Sequence, residues 1–150
     1  MPANPNIMTR DENLDLFFKE GRTVILPIDH GVAIPVRELA NPATLIERVN
    51  PYVDGYVMNL GLALRAADLV KGKGICLRTD VYNTRTQGPG AGSIPVYGVD
   101  TAEIVGANAV MNMLYPFAED EVVTTQSCAD LIQTSLDSDV PVIIETLPHG

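Results

Sequence analysis

The chain has 150 residues, enough for one domain or for part of a larger one, and 46% of them are hydrophobic. Ten basic residues stand against 19 acidic ones, and the net charge of −9 argues against general nucleic-acid binding, which needs a cationic surface. No apolar run approaches the roughly 20 residues of a membrane span, and the N-terminus lacks the features of a signal peptide. We therefore expect a cytoplasmic protein with no nucleic-acid or membrane partner.

The cysteine content is too low for a disulfide framework or a clustered metal site. Cys76 and Cys128 each fall within an apolar or helical pattern, which is typical of buried thiols. No group of cysteines and histidines has metal-ligand spacing. The sequence therefore predicts no metal and no cofactor.

The first elements are a short helix and an apolar strand. Residues 11–20 predict an amphipathic helix with Leu14, Phe17 and Phe18 on one face, which could cover the N-terminal opening of a closed barrel. Residues 23–29 form an apolar run that predicts a strand buried on both faces. This strand ends in Asp29, and His30 follows directly.

Four further β/α units are predicted after this strand. The predicted strands are 55–59, 75–78, 109–114 and 140–145, with a short hairpin arm at 94–97. Four helices are predicted between these strands. The first starts at Asn41-Pro42, and the second covers residues 62–70. The third starts at Asp100 with a capping box to Glu103, and the fourth follows the acidic residues 119–121 and ends at about Leu136. For the last helix we expect an inward face of Val122, Ala129, Ile132 and Leu136.

Successive strands lie about 30 residues apart, the size of a βαβ unit, so we expect right-handed connections and a parallel sheet. An open doubly wound sheet and the first part of a (β/α)₈ barrel both fit this pattern. A full barrel needs about 250 residues, and the last predicted strand is followed by no covering helix. We therefore predict a (β/α)₈ TIM barrel, of which this chain covers about the first five β/α units. Residues 1–21 form an N-terminal extension with a short helix, and residues 22–150 form the barrel part.

The candidate site residues lie where the predicted strands end. Asp29, Asn59, Arg78 and Glu145 would meet at one mouth of a parallel barrel. Asp29 is the candidate general base or hydroxyl acceptor, although a carboxylate bonded to nearby backbone N–H groups explains its position equally well. Arg78 could hold an anion, or it could pair with a carboxylate.

Two histidines complete the candidate substrate-binding set, which comprises His30, Asn59, Arg78, Glu145 and His149. His30 either orients Asp29, contacts substrate or caps its loop, and His149 is too close to the last residue to be placed. A phosphate loop at residues 88–92 is rejected, because no Gly-Lys-Ser/Thr follows it and no helix opens from it. Lys71 and Lys73 precede a strand, at the end opposite the mouth.

Several motifs, in order, resemble the archaeal-type class I fructose-bisphosphate aldolase family (DhnA- and LsrF-like), over roughly residues 20–150. The matching pieces are Ile25-Leu-Pro-Ile-Asp-His-Gly31, Val53-Asp-Gly-Tyr-Val57 with Gly61, residues 102–110, Leu114-Tyr-Pro116 with Glu121, and Pro141-Val-Ile-Ile-Glu145 with Pro148-His-Gly150. The Asp-His-Gly piece is the most distinctive of them.

This resemblance implies a (β/α)₈ barrel and a Schiff-base mechanism, in which a lysine amine attacks the substrate carbonyl. The strand-one aspartate of the family falls on Asp29, where it would assist proton transfers. The Schiff-base lysine and the phosphate site of the family would lie beyond residue 150. The strand-five tyrosine of the sugar-bisphosphate enzymes falls on Leu147.

We therefore expect the N-terminal part of a class I aldolase-type lyase that acts on a phosphorylated keto-sugar or related carbonyl compound and forms homo-oligomers. The isolated 150 residues should be inactive. The alternatives are a related aldolase-fold transferase or thiolase-like enzyme, a non-catalytic half-barrel that binds a partner or itself, and a flavodoxin-like binding module. In the half-barrel reading, an unpaired strand edge would promote association.

Overall fold

The computed structural model describes residues 8–32, 34, 36–81 and 93–148. Its helices are α1 (Arg10–Phe17), α2 (Pro42–Val49), α3 (Leu60–Ala66), α4 (Val99–Val105) and α5 (Glu121–Ser135). Its strands are β1 (Ile25–Pro27), β2 (Gly55–Met58), β3 (Gly74–Arg78), β4 (Asp80–Val81), β5 (Ile94–Pro95), β6 (Ala109–Leu114) and β7 (Val142–Thr146). Short 3₁₀ turns occur at His30–Val32, Arg37–Leu39 and Asn50–Tyr52.

The main sheet has five strands in the order β1-β2-β3-β6-β7, and every neighbouring pair is parallel. All five predicted barrel strands are therefore confirmed, with shifts of at most two residues at their ends. The predicted hairpin arm is also confirmed, because β5 pairs antiparallel with β4 just beyond β3. Helices α2, α3 and α5 connect successive parallel strands directly, as in βαβ units.

The sheet is curled into a half-barrel, and one side chain demonstrates the curl. Arg78, at the end of the middle strand, contacts Asp29 from beyond β1 and Glu145 from β7, at 2.6 Å and 2.5 Å. The two edge strands of a flat five-stranded sheet would lie about 19 Å apart. Here both carboxylates touch one planar guanidinium, so their contacting oxygens are less than about 8 Å apart.

Alternate residues of each strand face the two sides of this curved sheet. One buried cluster lies on the concave side and consists of Phe17, Val57, Cys76, Ala109 and Met111, with Ile25 and Ile143 packed against it. The larger cluster lies between the sheet and its helices. It includes Ile46 from α2, Ala63 and Ala66 from α3, Ile75 and Leu77 from β3, and Leu131 from α5. The concave cluster fills the interior of the half-barrel below its mouth.

Helix α1 closes the N-terminal end of the half-barrel. Phe17 is fully buried, and its ring lies directly over the first residues of β2 and β3. Both positions are glycines, Gly55 and Gly74, and a Cβ on either would come within 2.5 Å of the ring. The missing side chains are therefore what gives the ring its space, and the predicted covering role of this helix agrees with the structure.

Polar contacts fix α1 against the sheet. A capping box between Thr9 and Glu12, which sequence analysis missed, starts the helix. The Asn13 amide donates to the Asp139 carbonyl and accepts from Asn108 Nδ2, and Asn108 Oδ1 accepts from the Ile75 N–H. These buried amides satisfy each other, so they hold the helix without leaving unpaired groups.

Two predictions about helices are wrong. The N-cap of α4 is Gly98, without a side-chain capping bond, and Asp100 accepts only from the Thr101 N–H. The buried residues of α5 are Thr124, Cys128, Leu131 and Ser135. The predicted inward face of α5 is exposed instead, most clearly at Val122 (81%) and Leu136 (60%).

Other local predictions are confirmed. Asn41 caps α2 by accepting from the Thr44 N–H, with Pro42 as the first helical residue. Both cysteines are buried free thiols, and burial raises the pKa of Cys128 to about 11. Among the described residues, none of the helices combines the length and the apolar character needed to cross a bilayer.

Candidate functional site

The period of two along each strand places a polar layer above the apolar interior. Arg78 lies two residues beyond the interior Cys76, Glu145 lies two beyond Ile143, and Asp29 follows β1 by two positions. These side chains therefore gather at the carboxyl-end mouth of the half-barrel. This is the rim at which barrels of this type carry their chemistry.

Arg78 is the centre of the polar layer. Its Nε donates to Asp29 Oδ2 at 2.6 Å, its Nη2 donates to Glu145 Oε2 at 2.5 Å, and its Nη1 lies 3.4 Å from Asp80 Oδ1. The side chain is only 5% exposed. Burial alone would lower the pKa of Arg78, but the attraction of Asp29 and Asp80 and the hydrogen bonds outweigh it, so the pKa lies above its ordinary value.

Asp29 is buried at the floor of the mouth, directly beyond β1. One of its oxygens, Oδ2, is taken by Arg78. The other, Oδ1, lies 3.8 Å from His30 Nδ1, which is too long for a hydrogen bond. The His30 side chain is 45% exposed and opens the 3₁₀ turn after Asp29. One carboxylate oxygen of Asp29 therefore has no close donor among the described residues.

The remaining predicted site residues are Asn59, Glu145 and His149, and each has a different environment. Asn59 caps α3, because its Oδ1 accepts from the Leu62 N–H at 3.0 Å. Glu145 reaches Arg78 from β7, and its side chain is 39% exposed. His149 lies outside the described residues, as does the rejected phosphate loop at 88–92. The structure thus brings Asp29, Arg78 and Glu145 into direct contact, with His30 and Asn59 nearby.

Sequence analysis missed Asp80, which is only 2% exposed. Its Oδ2 accepts from the Met113 N–H and from Ser93 Oγ, each at 3.0 Å. Its position two residues beyond Arg78, and so on the same side of the extended chain, is a signal that could have found it. Burial raises the pKa of Asp80, and the Met113 N–H and Arg78 oppose this shift only in part.

The raised pKa of Asp80 predicts a pH-dependent effect of the Asp80→Asn substitution. Because the folded protein binds this proton more tightly than the unfolded chain, the contribution of Asp80 to stability is present below its unfolded value near 3.8 and is lost as the pH rises through its folded pKa. Relative to the parent chain, Asp80→Asn should therefore gain free energy of unfolding as the pH rises above about 4.

Urea unfolding at several pH values measures this difference, with the exposed Asp68→Asn as the matched control. The free energy of unfolding of the control should change with pH in the same way as that of the parent chain. If Asp80→Asn instead loses stability relative to the parent chain as the pH rises, the raised pKa of Asp80 is contradicted.

A cavity of about 360 Å³ opens beside this cluster. Arg78 and Asp80 line it together with Gly31, Asn59, Gly61 and Tyr97. A second cavity, of about 450 Å³, lies between α2 and α3 and is mostly apolar. The first is the space next to the charged groups, so it is the better candidate for a substrate.

Three carboxylates, those of Asp29, Asp80 and Glu145, surround the single guanidinium of Arg78, so acidic groups outnumber basic ones at the mouth. Among the described residues, no group of three or more His, Cys, Asp or Glu side chains has an arrangement that could hold a metal ion. The arrangement is suited to accepting protons or hydroxyl hydrogens from a bound molecule.

The three lysines of the chain lie away from this mouth. Lys19 Nζ donates to the Asp15 carbonyl at the end of α1, and Lys73 Nζ donates to the Val53 carbonyl just before β2. Lys71 lies on the exposed turn that precedes β3. All three are at the amino end of the strands, so none of them can reach Asp29.

The chain is similar to proteins of the resembled family over nearly its full length. It is 24% identical over 145 residues to 2-amino-3,7-dideoxy-D-threo-hept-6-ulosonate synthase 1 of Archaeoglobus fulgidus, matching 96% of this chain and 55% of that protein. No protein-family model matches the chain. The resemblance inferred from the sequence motifs is confirmed by this similarity and by the structural neighbours.

Two solved structures with this architecture are aldolases. A Schiff-base-forming fructose-1,6-bisphosphate aldolase superposes with a TM-score of 0.79 at 24% identity, covering 94% of this chain and 58% of that one. The fructose-bisphosphate aldolase of Slackia heliotrinireducens gives 0.73 at 14% identity, with 96% and 56% coverage. The chain thus has the fold of the first part of a TIM-barrel aldolase and spans little more than half the length of these relatives.

Proposed function

We propose that the chain is the N-terminal part of a class I aldolase-type lyase that acts on a phosphorylated keto-sugar or related carbonyl compound. In this proposal the Schiff-base lysine lies outside residues 1–150. The observation that carries it is the buried Asp29 at the mouth of the half-barrel, where Arg78 holds Oδ2 and Oδ1 has no close donor among the described residues. The similarity to Schiff-base aldolases supports the reaction class.

Asp29 supplies the acid–base group of the proposed mechanism. A lysine amine adds to the substrate carbonyl and the adduct loses water to give an iminium ion. A base then removes the proton of the hydroxyl group β to that carbon, the C–C bond breaks, and its electron pair moves to the iminium nitrogen. Asp29 Oδ1 is the oxygen positioned to exchange protons with these hydroxyl groups. Glu145 and His30 flank it as hydroxyl-binding groups.

A second candidate is a transferase or thiolase-like reaction on the same fold. The observation that favours it is Leu147, which stands directly after β7 and is 46% exposed. The sugar-bisphosphate enzymes of the resembled family carry a phenol there, and an aliphatic side chain cannot transfer protons. Product analysis distinguishes the two reactions, because cleavage releases a free aldehyde and a transferase passes the fragment to an acceptor.

The proposal also covers location and assembly. We place the protein in the cytoplasm as a homo-oligomer, and we keep residues 1–21 as an N-terminal extension, in which α1 covers the barrel floor. In the described part of the chain, the outer edge of β7 has no strand partner, and Val122 and Leu136 leave α5 partly apolar on the outside. A following β/α unit would cover both surfaces. A non-catalytic half-barrel that associates through these surfaces is the alternative.

An assay of C–C bond cleavage tests the proposal. The protein expressed at the full length of its gene should release a triose phosphate or related carbonyl product from a phosphorylated ketose, whereas residues 1–150 alone should not. Activity in the isolated 150 residues, or a full-length protein that binds no phosphorylated carbonyl compound, would contradict it.

A further inference from the structure

We propose that Arg78 is a positioning residue, which holds the Asp29 carboxylate in place and ties the two edge strands of the half-barrel together. It would then not be a substrate-binding group. The part of this inference that concerns catalysis rests on the proposed function. The part that concerns the edge strands does not.

Each nitrogen of the guanidinium already faces a carboxylate from a different part of the chain, namely Asp29 after β1, Asp80 in β4 and Glu145 in β7. A phosphate that bound here would compete with these carboxylates. Two of them, Asp29 and Asp80, are buried and would lose contact with their cation. Arg78 is therefore placed to hold carboxylates rather than a substrate anion.

The geometry also explains why an arginine stands at this position. Nε and Nη2 are separate donors held at a fixed spacing on one rigid planar group, so Arg78 can hold Asp29 and Glu145 at the same time. A lysine ammonium is a single point charge and could approach one of them closely. The two carboxylates come from the outermost strands, and the described sheet closes no hydrogen-bonded ring between β7 and β1. Arg78 is thus a direct connection between the two edges.

A kinetic comparison in the full-length enzyme tests the effect on Asp29. Arg78→Met should lower kcat about 100-fold, because Asp29 is misplaced. It should raise KM by less than about tenfold, because Glu145 is the one proposed substrate contact that also loses its partner. The kcat of Arg78→Lys should fall between those of Arg78→Met and the parent enzyme. The control Arg48→Met, at an exposed arginine, should have the kcat and KM of the parent enzyme. A KM raised tenfold or more with kcat retained would overturn the inference and assign Arg78 to substrate binding.

A distance measurement in the 150-residue chain tests the connection between the edges without any assay of activity. Spin labels at His30→Cys and Leu147→Cys mark the ends of β1 and β7, and the buried Cys76 and Cys128 should stay unlabelled. The parent chain should give one narrow distance distribution. Arg78→Met should broaden it and extend it by up to about 10 Å, toward the spacing of a flat sheet.

Glu145→Ala provides the second variant if Arg78→Met does not fold, because Glu145 is partly exposed and its loss frees only one edge. It should broaden the distribution as well. An unchanged narrow distribution in both Glu145→Ala and Arg78→Lys would overturn the connection. Broadening in these variants, in a protein whose full-length form lacks aldolase activity, would instead contradict only the proposed function.

Discussion

Phe17→Ala should lower the free energy of unfolding of the 150-residue chain by about 3–5 kcal/mol, the usual cost of truncating a fully buried phenylalanine. The ring is 0% exposed and fills the space over Gly55 and Gly74 at the floor of the half-barrel. Removing it would leave a cavity between α1 and the strands. The next residue is the matched control, since Phe18 is 45% exposed and Phe18→Ala should cost about 1 kcal/mol or less.

A double-mutant cycle makes this prediction specific to the contact. Gly74→Ala places a Cβ 2.5 Å from the Phe17 ring, so it should destabilise the parent chain. In the Phe17→Ala background the same substitution meets no ring and should cost much less. Urea unfolding of the four chains measures the coupling. Strictly additive costs would show that the ring does not rest on this glycine.

Asp29→Asn should reduce kcat of the full-length enzyme by about 10²–10⁴-fold, the usual contribution of a general acid–base group. The amide is close in shape to the carboxylate, and its oxygen can still accept the hydrogen bond from Arg78 Nε, so the fold should be retained. What is lost is the negative charge of the carboxylate and with it Oδ1, the oxygen that Arg78 does not contact. Steady-state kinetics with a phosphorylated ketose measure the effect.

The exposed Asp68→Asn is the control for this substitution, because it removes the same charge far from the mouth. It should retain the kcat and the KM of the parent enzyme. Circular dichroism should show that both variants keep the parent fold. An Asp29→Asn enzyme that is folded and within threefold of the parent kcat would remove Asp29 from the mechanism.

The sequence patterns predicted the strands well because each strand is a short apolar run bounded by polar residues or glycine. Their positions at the ends of parallel strands predicted that Asp29, Arg78 and Glu145 would share one mouth. What these patterns could not supply is the partner of each group. Each nitrogen of Arg78 faces a carboxylate from a different part of the chain, a result of the curl of the sheet that local spacing does not encode.

The error on α5 has a clear physical origin. The prediction ranked faces by hydrophobicity and chose Val122 and Leu136. The buried face instead carries Thr124, whose hydroxyl lies within hydrogen-bond distance of the Asp120 and Glu121 carbonyls, and Ser135, which donates to the Ile132 carbonyl. Small hydroxyl residues can be buried in a helix when its own backbone satisfies them. An apolar face can stay exposed when no described element covers it.

Borohydride trapping followed by peptide mapping tests the central claim most directly. The protein at the full length of its gene is incubated with a phosphorylated ketose and reduced, so that any iminium becomes a stable adduct on its lysine. We predict one adduct on a lysine outside residues 1–150. An adduct on Lys19, Lys71 or Lys73, or C–C cleavage without any adduct, would contradict the account.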